Sequence, residues 1–184
     1  MERAIQLFHR RWSVPVVGTL YASGGMRFGE LLTRLGASRD TLSETLSNLI
    51  ANDLVEHEDD GHGHERYLLT AQGQALGEAA VGAVDAVPNS QIKRLALKKW
   101  PMLVLVALGR GARRYSALQA ALPGITPRSL GMALKDLSEE GLVERTIGEG
   151  YPPTTAYALT QSAGALLPAM EKLVSSVESL AGEG

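Results

Sequence analysis

The side chains best able to do chemistry in this sequence are cations and hydroxyls set along two short stretches. Arg39, Ser43 and Thr45 lie in one, Arg128, Ser129 and Lys135 in the other, and Arg66 and Arg145 follow a little further along each. Guanidinium and ammonium groups neutralise phosphates, while hydroxyls position a phosphate backbone or meet base edges, so the set suits contact with a polyanion better than bond breaking. No glycine-rich phosphate loop, nucleophile elbow, metalloprotease helix or paired-carboxylate motif accompanies it, and the reading is a protein that is not an enzyme. The chain contains no cysteine, which removes thiol nucleophiles, disulfides and thiol sensing together. His57, His62 and His64, with Asp59, Asp60 and Glu65, are of metal-binding types. A solvated loop tip explains the same composition, so no metal and no cofactor are expected.

A second kind of chemistry is apolar recognition. Trp12 and Trp100 stand beside apolar helical runs, and aromatic walls between helices suit small flat ligands. Both tryptophans are also ordinary candidates for a core or an interface.

These residues sit in a sequence that repeats itself at a spacing of about 88 residues. Arg10-Arg11-Trp12 returns as Lys98-Lys99-Trp100, Leu54-Val55-Glu56 as Leu142-Val143-Glu144, and Tyr67-Leu68-Leu69-Thr70 as Tyr157-Ala158-Leu159-Thr160. The division expected is 1–87 and 88–184. With 45% of 184 residues hydrophobic, each half has the means to bury a small core. Charge is divided unequally. Residues 1–87 hold 7 Lys/Arg against 12 Asp/Glu, whereas residues 88–184 hold 11 against 8, so the second half is the better partner for an anion. No run of about 18 apolar residues is present and the start leads into no signal-peptide core, from which a cytoplasmic protein away from the membrane is expected.

Within the first copy, Trp12, Val16, Val17 and Leu20 fall at helical spacing until Gly24-Gly25. Phe28, Leu31, Leu32 and Leu35 predict a second helix ending at Gly36. Ser38 is an N-cap candidate for a third, with its stripe at Leu42, Leu46, Leu49 and Ile50. Val55 to Leu69 then reads as a hairpin around a polar, glycine-containing tip, and Thr70 opens a helix that ends near Pro88. The second copy follows the same order, with a wing from Leu142 to Leu159. A last helix carries an apolar stripe through Leu166, Met170, Leu173, Val174, Val177 and Leu180. The predicted fold is mainly α with small β-hairpin wings (α+β), as two winged helix-turn-helix domains in tandem. The stripe has two uses, packing one copy against the other, which suffices to bury it, or forming a homodimer, for which Leu173, Val174 and Val177 are the candidate surface.

The sequence resembles the HxlR family of bacterial winged-helix transcription regulators. The second copy carries the closer likeness, through Lys99-Trp100, Arg113-Arg114-Tyr115, Leu122-Pro123-Gly124-Ile125-Thr126, Glu140-Gly141-Leu142-Val143-Glu144-Arg145 and Tyr157-Ala158-Leu159-Thr160. The resemblance implies a third helix in the major groove, a wing at the backbone or minor groove, and double-stranded operator DNA as partner. Family members are usually single winged domains that dimerise through their terminal helices, and many lead with a cysteine; this chain departs on both points. The function expected is a DNA-binding repressor released by a small apolar or aromatic effector. The alternative is a ligand-binding or sequestering protein on a winged scaffold that has lost much of its DNA affinity, since Asp40 and Glu44 beside Arg39 repel phosphates.

Overall fold

The computed structural model describes residues 1–8, 10–59, 65–87, 92, 95, 97–148 and 154–180, and among them the chain builds one small unit twice. The first unit runs α1 (Glu2–Leu7), α2 (Ser13–Ser23), β1 (Met26–Arg27), α3 (Phe28–Leu35), α4 (Arg39–Ala51), β2 (Val55–Asp59), β3 (Glu65–Leu69) and α5 (Ala71–Asp85). The second runs α6 (Lys99–Gly109), α7 (Tyr115–Ala121), α8 (Pro127–Glu139), β4 (Val143–Ile147), β5 (Thr155–Leu159) and α9 (Gln161–Ser179). Each wing is an antiparallel pair in the same register, Val55 opposite Leu69 and Val143 opposite Leu159. β1 adds a third strand at Met26 and Arg27, and a single bridge from Arg114 to Ala156 is its counterpart. Neither β1 nor α1 is announced by hydrophobic periodicity, because both are too short to show a period.

Local chemistry sets the element boundaries, and several of the helix starts are capped alike in both copies. Gly24 and Gly36 close α2 and α3 in the left-handed conformation that glycine adopts without penalty. The hydroxyls of Ser38 and Thr126 accept from the amides of Thr41 and Ser129 at 3.3 and 3.1 Å, and so start α4 and α8. Thr70 and Thr160 cap α5 and α9, and each also donates to a carbonyl of the turn before its wing, Asp53 at 2.6 Å and Gly141 at 2.7 Å. Those two turn residues both have positive φ. The first copy thus bears at Asp53 a strain that glycine relieves in the second.

The buried apolar residues of the two units join into one continuous core. Within the first unit α2 lies along α5, and α6 lies along α9 in the second; α5 and α9 then pack against each other. α1 crosses the seam to reach α9, where the Arg3 guanidinium donates to the Leu180 carbonyl at 3.0 Å and to Gln72 of α5 at 3.2 Å. Lys172 of α9 meets Glu78 of α5 at 2.8 Å. Leu173, Val174 and Val177 are at most 1% exposed, so packing within the chain is the use of the stripe that covers them. They offer no free stripe to a second copy.

The two copies solve one contact with opposite residues. In the first, the Tyr21 ring of α2 lies where a side chain on Gly77 of α5 would stand; in the second, small Gly109 of α6 faces large Leu167 of α9, whose methyls come within 2.6 Å of the place a Cβ would take. Each pair has one bulky and one small member, so volume is conserved while the partners exchange roles. Gly77→Leu is expected to lower stability by about 1–3 kcal/mol by overpacking. The double variant Tyr21→Gly with Gly77→Leu, which transplants the second copy's solution, should melt above the single variant, and thermal melts of both would check it.

Glu178 near the end of α9 takes a hydrogen bond from Arg110 at 3.0 Å and another from the Met1 amine at 2.7 Å. The hydrogen bond from Arg110 chiefly holds its carboxyl below the usual carboxylate range, against partial burial that pushes the other way. A depressed folded-state value means the contribution is complete above the unfolded carboxylate range, near pH ~4.3, and is lost as pH falls through the folded value. Glu178→Gln should therefore lower the melting point at pH 7 and flatten its decline on acidification, by an amount corresponding to at most about 1 kcal/mol for so accessible a pair.

Candidate nucleic-acid interface

α3, the turn at residues 36–38 and α4 form a helix-turn-helix in the first unit, and α7 with α8 repeats it in the second across a longer turn at residues 122–126. α4 buries Leu42, Thr45, Leu46 and Leu49 and leaves Arg39, Asp40, Ser43, Glu44 and Ser47 outside. α8 buries Leu130, Ala133, Leu134 and Leu137 and leaves Arg128, Gly131, Met132 and Lys135 outside. Ser43, Arg39, Arg128 and Lys135 thus stand on the faces that the sequence assigns to contact. Thr45 does not: it is fully buried, and its hydroxyl donates to the Thr41 carbonyl at 2.7 Å. Helical spacing puts it on the core side with Leu42 and Leu49, so it is withdrawn from the contact set. Ser129 is half-buried and occupied at the start of α8, where its hydroxyl bonds that of Thr126 at 2.9 Å.

The two faces differ in charge more sharply than the totals for each half imply. On α4, Glu44 is neutralised by Arg10 at 2.7 Å, and the Arg39 guanidinium lies 5.5 Å from the centre of the Phe28 ring. The first wing exposes Glu56, Glu58, Asp59 and Glu65. Its one arginine, Arg66, is tethered to the carbonyls of Gly24 and Gly25 at 3.0 and 3.3 Å. In the second unit Met132 replaces Glu44 and is 55% exposed, an apolar group of the kind that packs on a thymine methyl. Among the described residues Lys135 has only the weak 3.7 Å partner Glu139, and Arg145 is exposed on β4 opposite Tyr157. Arg113 and Arg114, exposed just before α7, add two cations that helix-face reasoning missed because they precede the helix. Their signal was the doubled arginine where the first copy has Met26-Arg27. Tyr115 fixes α7 to α8 by donating to the Pro127 carbonyl at 2.8 Å; Phe28, its counterpart, has no hydroxyl to do so.

The two tryptophans have parallel surroundings up to a point. Each is half-buried and covered by the cation before it, Arg11 at 4.8 Å and Lys99 at 4.2 Å from the ring centres. Partial burial lowers the Lys99 pKa by desolvating its ammonium. Trp12 also lines a cleft of about 620 Å³ formed by α2, the end of α3, the end of α5 and Leu97, the last from the second unit. That volume falls within the range of small-molecule sites. Of the histidine group, His62, His64 and Asp60 lie outside the described residues; among those described, no group of three or more His, Asp or Glu is placed to hold a metal. Among the described residues no helix is long and apolar enough to cross a membrane.

A helix-turn-helix followed by a two-stranded wing, made twice in one chain, defines a winged-helix protein of the nucleic-acid-binding kind. The family model described as HxlR-like helix-turn-helix matches it over residues 7–93 and again over 95–183. The chain belongs to the HxlR-like helix-turn-helix family, in a two-copy form, and is a DNA-binding transcriptional regulator and not an enzyme. It is 33% identical over 107 residues to a helix-turn-helix-type transcriptional regulator of Synechocystis, a match covering 56% of this chain and 79% of that one. Another such regulator, from Bacillus subtilis, is 36% identical over 76 residues, 41% of this chain and 70% of the relative. Among solved structures, the transcriptional regulator ytfH of Salmonella typhimurium is similar at 25% identity and a TM-score of 0.47, over 52% of this chain and 86% of that chain.

Thr45→Val should shift stability by about 1 kcal/mol through the lost hydrogen bond and leave DNA affinity unchanged. A loss of affinity at an unchanged melting point would return the hydroxyl to the interface.

Proposed function

We propose that the chain is a repressor that sits on double-stranded operator DNA as a single molecule, in the cytoplasm, and is released by a small apolar or aromatic effector. The units proposed are residues 1–87 and 88–184, each presenting one recognition helix to one half-site. One observation carries the reading: α5 and α9 pack against each other within the chain and bury the stripe through Leu173, Val174 and Val177. Two-fold regulators commonly obtain paired recognition helices by joining two chains; here the pairing is intramolecular and a homodimer is not required. The second unit, with Arg113, Arg114, Arg128, Lys135 and Arg145, supplies most of the phosphate attraction. The first unit, with Arg39, Ser43 and Arg66 among carboxylates, supplies less. An effector that alters how the units sit together would spoil the match to half-site spacing.

The acidic wing of the first unit favours a rival, a ligand-binding or sequestering protein with little remaining DNA affinity. Fluorescence anisotropy with labelled DNA from upstream of the protein's own gene, against scrambled DNA and across a salt series, separates the two. Specific binding that weakens with salt supports the repressor; no specific binding at low salt favours the rival.

Arg128→Ala and Lys135→Ala should each weaken binding more than Arg39→Ala and reduce the salt slope by about one. Equal losses at all three positions would contradict the inequality of the units. Light scattering during gel filtration should return the 19.6 kDa of one chain, and a stable dimer at micromolar concentration would overturn the single-molecule reading.

A further inference from the structure

Comparison of the two copies locates a place where they differ in kind. Aligned through their tryptophans, Gly18 and Ala22 of α2 correspond to Val106 and Arg110 of α6; aligned through their capping threonines, Val81 of α5 corresponds to Glu171 of α9. In the second unit these positions carry larger residues. Val106 is fully buried, and Arg110 spans to Glu178 at 3.0 Å and to Glu171 at 3.9 Å. In the first unit Gly18, Ala22 and Val81 leave the space open, and it is the cleft beside Trp12. Close approach of α5 does not by itself account for the opening, because a Cβ on Gly18 would meet the α5 backbone at an ordinary 3.4 Å. An open cleft with an aromatic wall exists in one copy where a salt-bridged plug stands in the other.

The charges around the cleft select among ligands. Two guanidiniums, Arg11 and Arg34, and one carboxylate, Asp85, line it. Arg11 is committed to the Trp12 ring, whereas Arg34 is exposed and has no hydrogen-bond or ion-pair partner among the described residues. An unpaired guanidinium at the mouth of an apolar cleft is suited to a carboxylate or another planar anion, and the indole suits a flat ring.

We propose that this cleft is the effector site and that its ligand is a planar aromatic molecule bearing one negative charge, its ring against Trp12 and its anion on Arg34. The site as such is independent of the repressor reading; only its regulatory consequence rests on that reading. The consequence follows from position. α3 precedes the recognition helix α4, and Leu97 belongs to the other unit, so a bound ring touches both the helix-turn-helix and the boundary between units. Trp100, whose unit carries the plug, takes no part.

Isothermal titration calorimetry on the full chain, without DNA, tests the site with 1-naphthoate and 2-naphthoate as anionic probes and 2-naphthamide as the neutral one. One saturable site per chain is expected for at least one naphthoate, with 2-naphthamide weaker than 2-naphthoate by about tenfold or more, the loss of a charge-assisted hydrogen bond. Arg34→Gln, on the surface, should bring acid and amide to similar affinity, and Ala22→Arg with Val81→Glu, which writes in the second unit's plug, should abolish binding. A wild-type melting point for each variant establishes that its fold is kept, and Ala22→Trp replaces the double variant if that one unfolds. No saturable binding of either naphthoate at millimolar concentration overturns the proposal, as does equal affinity for acid and amide or undiminished binding to the plugged chain. In a separate arm with operator DNA, binding that leaves DNA affinity unchanged upholds the site and overturns its regulatory role.

Discussion

Burial of one apolar stripe determines the arrangement of this molecule. α9 presents Leu166, Met170, Leu173, Val174 and Val177 at spacings of three and four, a face too apolar to leave in water. Contact with α6 and α5 removes it from solvent. Once that burial is made, the two recognition helices have a set relation, the trailing helices lie side by side, and α1 finds its place across the seam. The ion pairs along the seam, Lys172 with Glu78 and Arg110 with Glu178, are accessible and contribute little energy; they favour one alignment of surfaces that hydrophobic burial has already joined. A seam within one chain also changes the concentration dependence of the protein, because covalent linkage replaces a second-order encounter by an effective concentration in the millimolar range.

Much of this was legible in the sequence, and for definable reasons. Helices of eight residues or more leave a period, wings leave alternating residues around a polar tip, and caps such as Ser38, Thr70, Thr126 and Thr160 recur where the chain changes direction. Short elements do not: α1 has six residues and β1 two. The hydroxyl of Thr45 marks it as polar in the sequence, but the side chain satisfies that hydroxyl on its own helix and so enters the core. The destination of the stripe on α9 was open, since periodicity specifies a buried face without naming what buries it.

The candidate site was legible in outline and unequal in detail. Arg128 and Lys135 could be placed from helical spacing alone. The tether of Arg66 to Gly24 and Gly25, the neutralisation of Glu44 by Arg10, and the cover of Phe28 over Arg39 depend on residues brought together by folding, and these contacts decide how much charge each face has to spare. The repeat suggested that Trp12 and Trp100 are equivalent; Gly18 and Ala22 against Val106 and Arg110, further along each helix, make them different.

The exchange of Tyr21 over Gly77 for Gly109 under Leu167 has a further meaning. In a symmetric dimer of identical chains every substitution is written twice, and a change that suits one half is imposed on the other. Here the gene can alter one half alone, and opposite answers to one packing problem record that it has done so. Freed from mirror constraint, one half is able to keep the cations that hold a polyanion while its sister trades them for an acidic wing and an open cleft. Division of labour between sensing and gripping is a route that duplication within a single reading frame makes accessible, and self-association of identical subunits does not.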